Sequence, residues 1–325
     1  MDVKKEVLID LFVGSALGTF AGDAFGMPFE GWPPHAVRAK LDQCGSMQDG
    51  RFSRGTYTDD TEMMIGILEG IATKVDFDPE VTARNFLNNF HPKRGYGARI
   101  YGLMERLREG VPWDQVGTDS FGNGSAMRVA PIGFFFYNDP DRIREAAILS
   151  SRITHIHPEG IAGAAAQALA VGFAVSHSLN NRTIEPFSFI ETIAKRISPI
   201  DSSFALRLRQ LKTIESKTRN NLISELTGFY HCNVKAIEAV PPAIGAFLFT
   251  NNFKDAVILA VSLGGDTDTI GAMAGAIAGG YYGYKQIPLE WLEVMENEGK
   301  GRDYVVKLAR RAAALAINKD NKKSR

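Results

Sequence analysis

The chain has 325 residues, enough for one large domain or two ordinary ones, and its 45% hydrophobic and 23% charged composition is typical of a globular protein. Lysine and arginine total 37, as do aspartate and glutamate, so no basic excess indicates a nucleic-acid surface. Only two cysteines occur, Cys44 and Cys232, which excludes a disulfide scaffold, and we expect both to be buried or inert.

The N-terminal apolar stretch is a poor signal peptide, because Asp10 interrupts it and no small-residue cleavage site follows. Two other uncharged segments, 160–176 and 269–284, are dominated by alanine and glycine. Both fall short of the roughly 18 strongly apolar residues of a membrane-spanning helix. We therefore expect close-packed buried helices in a soluble, cytoplasmic protein that contacts neither a membrane nor nucleic acid.

Helical periodicity dominates the chain. Apolar residues repeat at helical spacing from Val7 to Phe12 and again from Met63 to Ile71. A capping residue followed by proline marks helix starts at Asp78-Pro79, Asp139-Pro140 and His157-Pro158. Further helices are predicted at residues 95–109, 124–137, 140–152, 158–178, 188–197, 201–216, 233–250, 253–263, 268–284, 288–297 and 301–317.

Strand signals are scarce, since no run of alternating polar and apolar residues ends in a hairpin turn. The pattern predicts an all-α protein, a single compact bundle of orthogonally packed helices. We assign residues 1–325 to one domain with a flexible basic tail at about 319–325. The polar stretch 179–183 and the region 197–222 are the best candidates for peripheral insertions.

Two short clusters of oxygen ligands lie far apart in the sequence. One is Thr58-Asp59-Asp60-Thr61 and the other is Asp266-Thr267-Asp268-Thr269. Carboxylate and hydroxyl oxygens without histidine or cysteine suit Mg²⁺, Mn²⁺ or Ca²⁺ rather than Zn²⁺. Four carboxylates converging on one spot would repel unless cations neutralised them. We expect the fold to bring the clusters together around one or two divalent ions, which also favours a single domain.

Other interpretations of these clusters remain. Helix capping explains one aspartate of the Asp59-Asp60 pair but not both. A calcium-binding EF-hand loop starting at Asp266 would need glutamate at its twelfth position, where Ile277 stands. A haloacid-dehalogenase-type phosphotransferase stays the runner-up for the second cluster, although Ile270 replaces the last residue of that pattern and two glycines stand where a strand should end.

Three further segments carry candidate chemistry. Glu30 lies in a turn between apolar residues, where partial desolvation suits proton transfer. The turn Gly122-Asn123-Gly124 can present backbone N–H groups to an anion such as phosphate. His155 and His157, two of only six histidines, adjoin a helix start.

Together these segments resemble the ADP-ribosylglycohydrolase family. The resemblance rests on five motifs that occur in the family's order and cover roughly residues 10–285. They are Gly22-Asp23-Ala24-Phe25-Gly26 with Glu30, Thr58-Asp59-Asp60-Thr61, Gly122-Asn123-Gly124-Ser125-Ala126-Met127-Arg128, Thr154-His155, and Gly264-Gly265-Asp266-Thr267-Asp268-Thr269.

The resemblance implies an all-α fold with a binuclear Mg²⁺ site, in which Mn²⁺ is a possible substitute. It implies a catalytic role for Glu30, together with Asp60 and Asp268. The implied metal ligands are Thr58, Asp59, Asp60, Asp266, Asp268 and Thr269. The implied contacts with ADP-ribose are Ser120, Phe121, Gly122, Asn123, Gly124 and His155.

The segment Arg94-Gly95-Tyr96-Gly97-Ala98 resembles the family branch that cleaves O-linked ADP-ribose, from serine, poly(ADP-ribose) or O-acetyl-ADP-ribose. The arginine-directed branch tends to carry an acid here, and none lies between Glu80 and Glu105. The expected activity is Mg²⁺-dependent hydrolysis at ribose C1 of an ADP-ribosylated protein or small molecule, through an oxocarbenium-like state. The alternatives are an arginine-directed hydrolase of the dinitrogenase-reactivating type, a non-catalytic ADP-ribose-binding protein, and an inactive relative with a structural role.

Overall fold

A computed structural model describes residues 3–323, apart from the side chains of Val3, Cys44 and residues 320–323. These residues form sixteen α-helices and five short 3₁₀ turns. Within the described residues there is no β-strand. Extended backbone pairs there in two isolated bridges, Thr118 with His155 and Gly122 with Lys235. The structure confirms the all-α fold predicted from the sequence.

The α-helices follow one another along the whole described chain. They are α1 Val3–Gly26, α2 Pro34–Cys44, α3 Asp59–Lys74, α4 Pro79–Asn89, α5 Ala98–Arg108, α6 Ala130–Phe135, α7 Pro140–Arg152, α8 Pro158–Leu179, α9 Pro186–Ile197, α10 Ser202–Arg209, α11 Arg219–Phe229, α12 Ala236–Leu248, α13 Phe253–Ser262, α14 Thr267–Tyr282, α15 Leu289–Val294 and α16 Arg302–Lys323. The 3₁₀ turns are Met27–Phe29, Pro92–Arg94, Asn123–Ser125, Gln210–Thr213 and Tyr284–Gln286.

The three helix starts predicted from a cap followed by proline are confirmed. The Asp78 carboxylate accepts a hydrogen bond from the N–H of Val81, and the Asp139 carboxylate accepts one from Arg142. The His157 ring accepts one from the N–H of Glu159. Each cap satisfies a backbone donor that the first helical turn leaves without a partner.

The structure departs from several helix predictions. Helix α2 went unpredicted because, among its described apolar side chains, just Val37 and Leu41 are buried. Helix α11 was not predicted either. The single helix expected at 124–137 is a 3₁₀ turn followed by short α6, whose start carries Pro131 in a position that needs no N–H donor.

Helices α1 and α14 pack antiparallel with their backbones in contact. Glycines recur every fourth residue on the facing sides, and a methyl group at Gly22 would overlap the carbonyl oxygen of Gly271. Glycine is needed at such positions because any side chain would force the helices apart. The close contact places the turn carrying Glu30, just after α1, beside the start of α14, where Asp266 lies.

Helices from both ends of the chain share one hydrophobic core, in which α1 packs against α14 and α16. Helix α16 includes residues 319–323, and residues 324–325 lie outside the described part of the chain. The flexible tail and the single-domain boundaries stay predictions.

Two apolar helical stretches are long enough to cross a membrane by length and composition, Lys4–Phe29 and Pro158–Leu179. In the structure 83% and 78% of their most apolar windows are buried, as in core helices of water-soluble proteins. The expected absence of membrane contact and the cytoplasmic location stay predictions.

Candidate active site

The two acidic clusters lie at the N-termini of two helices that meet. Asp59 and Asp60 open α3, and Asp266 stands immediately before α14. The hydroxyl of Thr269 donates a hydrogen bond to Asp60 Oδ2 at 3.4 Å. The convergence expected from the sequence is therefore present, and both clusters have the positive end of a helix dipole behind them.

Asp23, on α1, holds the first cluster in shape. Its buried carboxylate accepts hydrogen bonds from the N–H of Thr58 at 3.0 and 3.1 Å, and from the N–H and hydroxyl of Thr61 at 3.2 and 2.5 Å. Burial raises the pKa of Asp23 to about 6. Sequence reasoning placed Asp23 in a motif but missed this supporting role. The available signal was a single charged residue in the otherwise uncharged stretch 11–29.

The carboxylates of the two clusters are crowded and poorly solvated. Asp60 is 2% exposed and Asp268 is 3% exposed. Burial, with neighbouring carboxylates adding to it, raises the pKa of both well above the usual range and that of Asp59 to about 8. So much buried negative charge is costly unless cations compensate it.

The residues present fit a divalent cation. Glu30, Asp266 and Asp268 each offer a carboxylate oxygen, and these oxygens lie within 4.8 Å of one another. Asp60 Oδ1 is buried and has no hydrogen-bond partner within the described residues. Such an unpartnered buried oxygen is unusual in a folded protein, and a bound ion accounts for it. An all-oxygen donor set suits Mg²⁺ or Mn²⁺.

Backbone hydrogen bonds fix the Glu30 turn against the second cluster. The N–H of Gly31 donates to the carbonyl of Gly265 at 2.7 Å, and the N–H of Gly265 donates to the carbonyl of Trp32 at 2.9 Å. Burial raises the pKa of Glu30, although the guanidinium of Arg51 opposes the shift. Glu30 therefore lies at the edge of the carboxylate cluster with raised basicity.

Arg51 is a site residue that sequence reasoning missed. Its guanidinium pairs with Glu30 Oε2 at 2.5 Å and with Asp268 Oδ2 at 3.0 Å. Arg51 lies in the loop between α2 and α3, where no periodicity or motif marks it. Its contacts depend on the tertiary fold.

The turn around Asn123 forms another wall of the site. The side-chain amide of Asn123 donates to Asp266 Oδ2 at 2.6 Å, and its backbone N–H donates to the carbonyl of Val234 at 2.9 Å. The N–H of Gly122 donates to the Ser120 hydroxyl at 3.2 Å. Asn123 thus orients a carboxylate of the second cluster, a contact that the sequence did not predict.

His155 lies against this turn as a neutral ring. It is 6% exposed, and its Nδ1 lies 2.6 Å from the Thr154 hydroxyl. Burial, with Arg128 nearby, lowers the pKa of His155 to about 3. A methyl group at Gly124 would come within 3.1 Å of the His155 ring, so this glycine lets the turn approach the ring. The other histidine of the pair, His157, caps α8.

A cavity of about 500 Å³ joins these walls, a size that suits a dinucleotide-like ligand. Every residue predicted for the site lines it except Thr58, which is fully buried behind Asp60. The lining members of the predicted set are Glu30, Asp59, Asp60, Ser120, Phe121, Gly122, Asn123, Gly124, His155, Asp266, Asp268 and Thr269.

The segment from Arg94 to Arg99 divides between the protein interior and the cavity. Arg94 makes a two-pronged ion pair with Glu296 at 2.7 and 2.8 Å, and the Tyr96 hydroxyl donates to buried Glu62 at 2.6 Å. The residues of the segment that line the cavity are Gly95, Gly97, Ala98 and Arg99. This wall therefore presents no carboxylate to a ligand.

Comparison with known proteins gives consistent results. The sequence model of the ADP-ribosylglycohydrolase family matches residues 4–322. ADP-ribosylhydrolase ARH3 of Xenopus tropicalis is 33% identical over 338 aligned residues, which cover 92% of this chain and 95% of that protein. ARH3 of Homo sapiens is 30% identical over 328 residues, covering 88% and 89%. A solved structure described as an ADP-ribosylglycohydrolase-related protein complex superposes with a TM-score of 0.73 at 25% identity, covering 96% of this chain and 99% of that one.

Proposed function

Because this chain belongs to the ADP-ribosylglycohydrolase family and is an ADP-ribosyl glycohydrolase, we propose that it releases ADP-ribose from O-linked conjugates with the help of Mg²⁺. One observation carries the proposal. The clusters that begin α3 and α14 meet in one cavity, with Glu30 at their edge and the Asn123 turn beside Asp266. We assign the ribose to the carboxylates of this cavity and the diphosphate to the Asn123 turn.

The residues that would hold two Mg²⁺ ions, or Mn²⁺ in their place, come from both clusters. They are Thr58, Asp59, Asp60, Asp266, Asp268 and Thr269. The chemistry that such ions supply is Lewis-acid polarisation of the ribose hydroxyls and of water. The hydroxyl of Thr269, 3.4 Å from Asp60 Oδ2, already ties one cluster to the other.

Glu30 is the residue we assign to proton transfer. Hydrolysis adds water at ribose C1, breaks the bond from C1 to the leaving oxygen, and moves one proton from the water to that oxygen. The raised pKa of Glu30 favours its accepting a proton at neutral pH. Asp60 and Asp268 support this step by fixing the site that holds the ribose.

We assign nucleotide binding to the wall around the Asn123 turn. Ser120, the glycines of this turn and His155 line the cavity, which supports a role for them in contacting the diphosphate and the distal nucleoside. Phe121 is 40% exposed and offers an aromatic face, over which Lys235 Nζ lies 5.5 Å from the ring centroid. Stacking of the adenine base on this ring would contribute to the binding free energy of ADP-ribose.

The preference for O-linked conjugates follows from the wall formed by Gly95, Gly97, Ala98 and Arg99. A guanidinium leaving group is a cation, and its recognition favours a carboxylate partner. A serine or ribose hydroxyl needs no such partner. A wall without an acid therefore favours oxygen leaving groups.

The test is a substrate panel with serine-, arginine-, poly- and O-acetyl-linked ADP-ribose, each assayed with Mg²⁺ and with excess EDTA. We expect free ADP-ribose from O-linked substrates in the presence of Mg²⁺ and little in EDTA. Binding of ADP-ribose without release from any substrate would show instead that the protein is a binding module. Release that EDTA leaves unchanged would contradict the metal part of the proposal.

A further inference from the structure

The guanidinium of Arg51 lies on two of the three carboxylates that are best placed to hold a cation. One nitrogen is 2.5 Å from Glu30 Oε2 and another is 3.0 Å from Asp268 Oδ2. Glu30, Asp268 and Asp266 are the residues whose oxygens lie within 4.8 Å of one another. The arginine therefore supplies positive charge to two of the carboxylates that a divalent cation would use.

We propose that Arg51 is the internal counter-cation of the metal-free site, and that a divalent cation binds at Asp268 by displacing the guanidinium. The inference rests on the metal site proposed above and adds a residue to it. Arg51 acts as a positioning residue, since its effect passes through Asp268 and Glu30.

The hydrogen bonds of Asp268 show why the two cations compete. Asp268 Oδ1 accepts the N–H of Thr269 at 3.0 Å, and Oδ2 accepts the guanidinium. Both oxygens of this 3%-exposed carboxylate are engaged. A divalent ion bound to Asp268 Oδ2 would be repelled by the guanidinium of Arg51, which lies about 3 Å from that oxygen. The repulsion is strong because the carboxylate is poorly solvated.

The two clusters differ in this respect. Asp60 Oδ1 has no partner among the described residues, so a cation that bound it would displace no charged side chain from that oxygen. Asp268 Oδ2 is covered by Arg51. If two ions bind, the ion on the Asp60 side needs no movement of Arg51, whereas the ion on the Asp268 side does.

The surroundings give the guanidinium room to leave. The Arg51 side chain is 35% exposed, and it lines a shallow surface cavity with Asp49, Phe52 and other residues of its loop. Gly95, with φ of +98°, lies against the guanidinium, and a Cβ there would come within 2.8 Å of Nη2. Glycine at position 95 leaves space for the guanidinium beside Glu30 and Asp268. The surface cavity offers space for the guanidinium after it is displaced.

Displacement of Arg51 has a consequence for Glu30. The same guanidinium pairs with Glu30, so its departure from Asp268 also releases the carboxylate assigned to proton transfer. Metal loading and the availability of Glu30 are thereby linked through one side chain. In this structure Glu30 is held in the ion pair with Arg51.

The test measures binding of MgCl₂ and MnCl₂ to the chelator-treated full-length protein by titration calorimetry, together with melting temperatures with and without metal. The variants are Arg51→Gln, which removes the charge, and Arg51→Lys, which keeps the charge but loses the two-pronged contact. Arg54→Gln is the matched control, because it makes the same charge change in the same loop and no side-chain ion pair of Arg54 occurs within the described residues.

We expect Arg51→Gln to bind Mg²⁺ about 10-fold more tightly than wild type in at least one binding step, because the substitution removes a positive charge that competes for Asp268. Its metal-free form should melt below wild type, and the two should converge when saturated with metal. Arg51→Lys should fall between them, and Arg54→Gln should match wild type.

Two results would overturn the inference while leaving the metal site intact. One is a Mg²⁺ affinity and a metal-free melting temperature for Arg51→Gln equal to those of Arg54→Gln. The other is weaker Mg²⁺ binding by Arg51→Gln, which would show that the arginine supports the ligands and does not compete. Absence of binding by every variant and by wild type would overturn the metal site and this inference together.

Discussion

Asn123 and Asp266 connect the two halves of the cavity. The Asn123 amide donates to Asp266 Oδ2 at 2.6 Å, across 143 positions of sequence. One residue of the turn assigned to nucleotide binding therefore orients a carboxylate assigned to the metal site. We therefore expect metal binding and nucleotide binding to be interdependent.

Asn123→Ala removes that contact and is expected to weaken Mn²⁺ binding by about 10-fold or more, the usual effect of losing a residue that orients a ligand. Mn²⁺ affinity can be followed directly by calorimetry or electron paramagnetic resonance. Ser120→Ala is the control on the same wall, because the Ser120 hydroxyl accepts from the N–H of Gly122 and makes no hydrogen bond to a carboxylate of the described residues. Equal Mn²⁺ affinities for the two variants would contradict the linkage.

Asp60→Asn and Asp268→Asn should each lose metal and activity and remain folded. Replacing a buried carboxylate by an amide also removes repulsion from neighbouring acids, which contributes to the raised pKa of both residues. The metal-free Asp60→Asn variant should therefore melt at or above the temperature of metal-free wild type, whereas Asp268→Asn also loses the ion pair with Arg51 and should melt lower than Asp60→Asn. Circular dichroism and thermal melts in EDTA measure this, and retention of full activity by either variant would rule out its role as a ligand.

Glu30→Gln should lower kcat by roughly 100-fold or more while the affinity for ADP-ribose stays near that of wild type. The amide keeps the shape of the side chain but cannot accept the proton of the attacking water. Single-turnover kinetics and product binding separate the two quantities. An unchanged kcat would show that hydrolysis proceeds without this carboxylate.

His155 should remain neutral through the whole working range of the protein. Its pKa of about 3 lies below the ordinary histidine value because burial, and then the charge of Arg128, disfavour the protonated ring. Because the pKa of His155 is lower in the folded protein than in the unfolded chain, its contribution to the free energy of unfolding is complete above about pH 6.5. Below that pH the unfolded chain binds a proton that the folded protein does not, so the contribution is lost as the pH falls toward 3. Histidine ring resonances in NMR spectra, assigned with a His155→Gln variant, should show one ring that does not titrate down to pH 5. Titration of that ring near pH 6.5 would contradict the neutral assignment.

Local patterns in the sequence predicted much of this molecule. The helix starts at Asp78, Asp139 and His157 depend on a cap and a following proline, and the structure contains all three. The meeting of the two acidic clusters was expected because their carboxylate and hydroxyl oxygens suit a shared divalent ion, which would also neutralise the repulsion between acids such as Asp60 and Asp266.

The parts that escaped prediction depend on contacts between distant segments. Arg51 reaches Asp268 across 217 positions, and no local pattern in its loop marks it. The supporting role of Asp23 was missed because its hydrogen bonds to Thr58 and Thr61 form only when α1 and α3 pack together. Helix α2 was missed because burial of two side chains leaves too weak a periodicity.

The specificity of the enzyme should depend on the wall at Gly97 and Ala98. With no acid there, we expect a higher kcat/KM for serine-linked than for arginine-linked ADP-ribose, since discrimination between substrates lies in that ratio.

Ala98→Asp would place a carboxylate on the cavity wall at the first turn of α5, where an acid is compatible with the helix dipole. This variant should raise the arginine-linked to serine-linked ratio of kcat/KM by about 10-fold, the order expected for one charge-assisted contact. Ala98→Asn is the matched control, because it has nearly the same shape and no charge, and it should leave the ratio near that of wild type. Faster cleavage of the arginine-linked substrate by the wild-type enzyme would show that the leaving group is recognised elsewhere, while the roles assigned to the two acidic clusters would be unaffected.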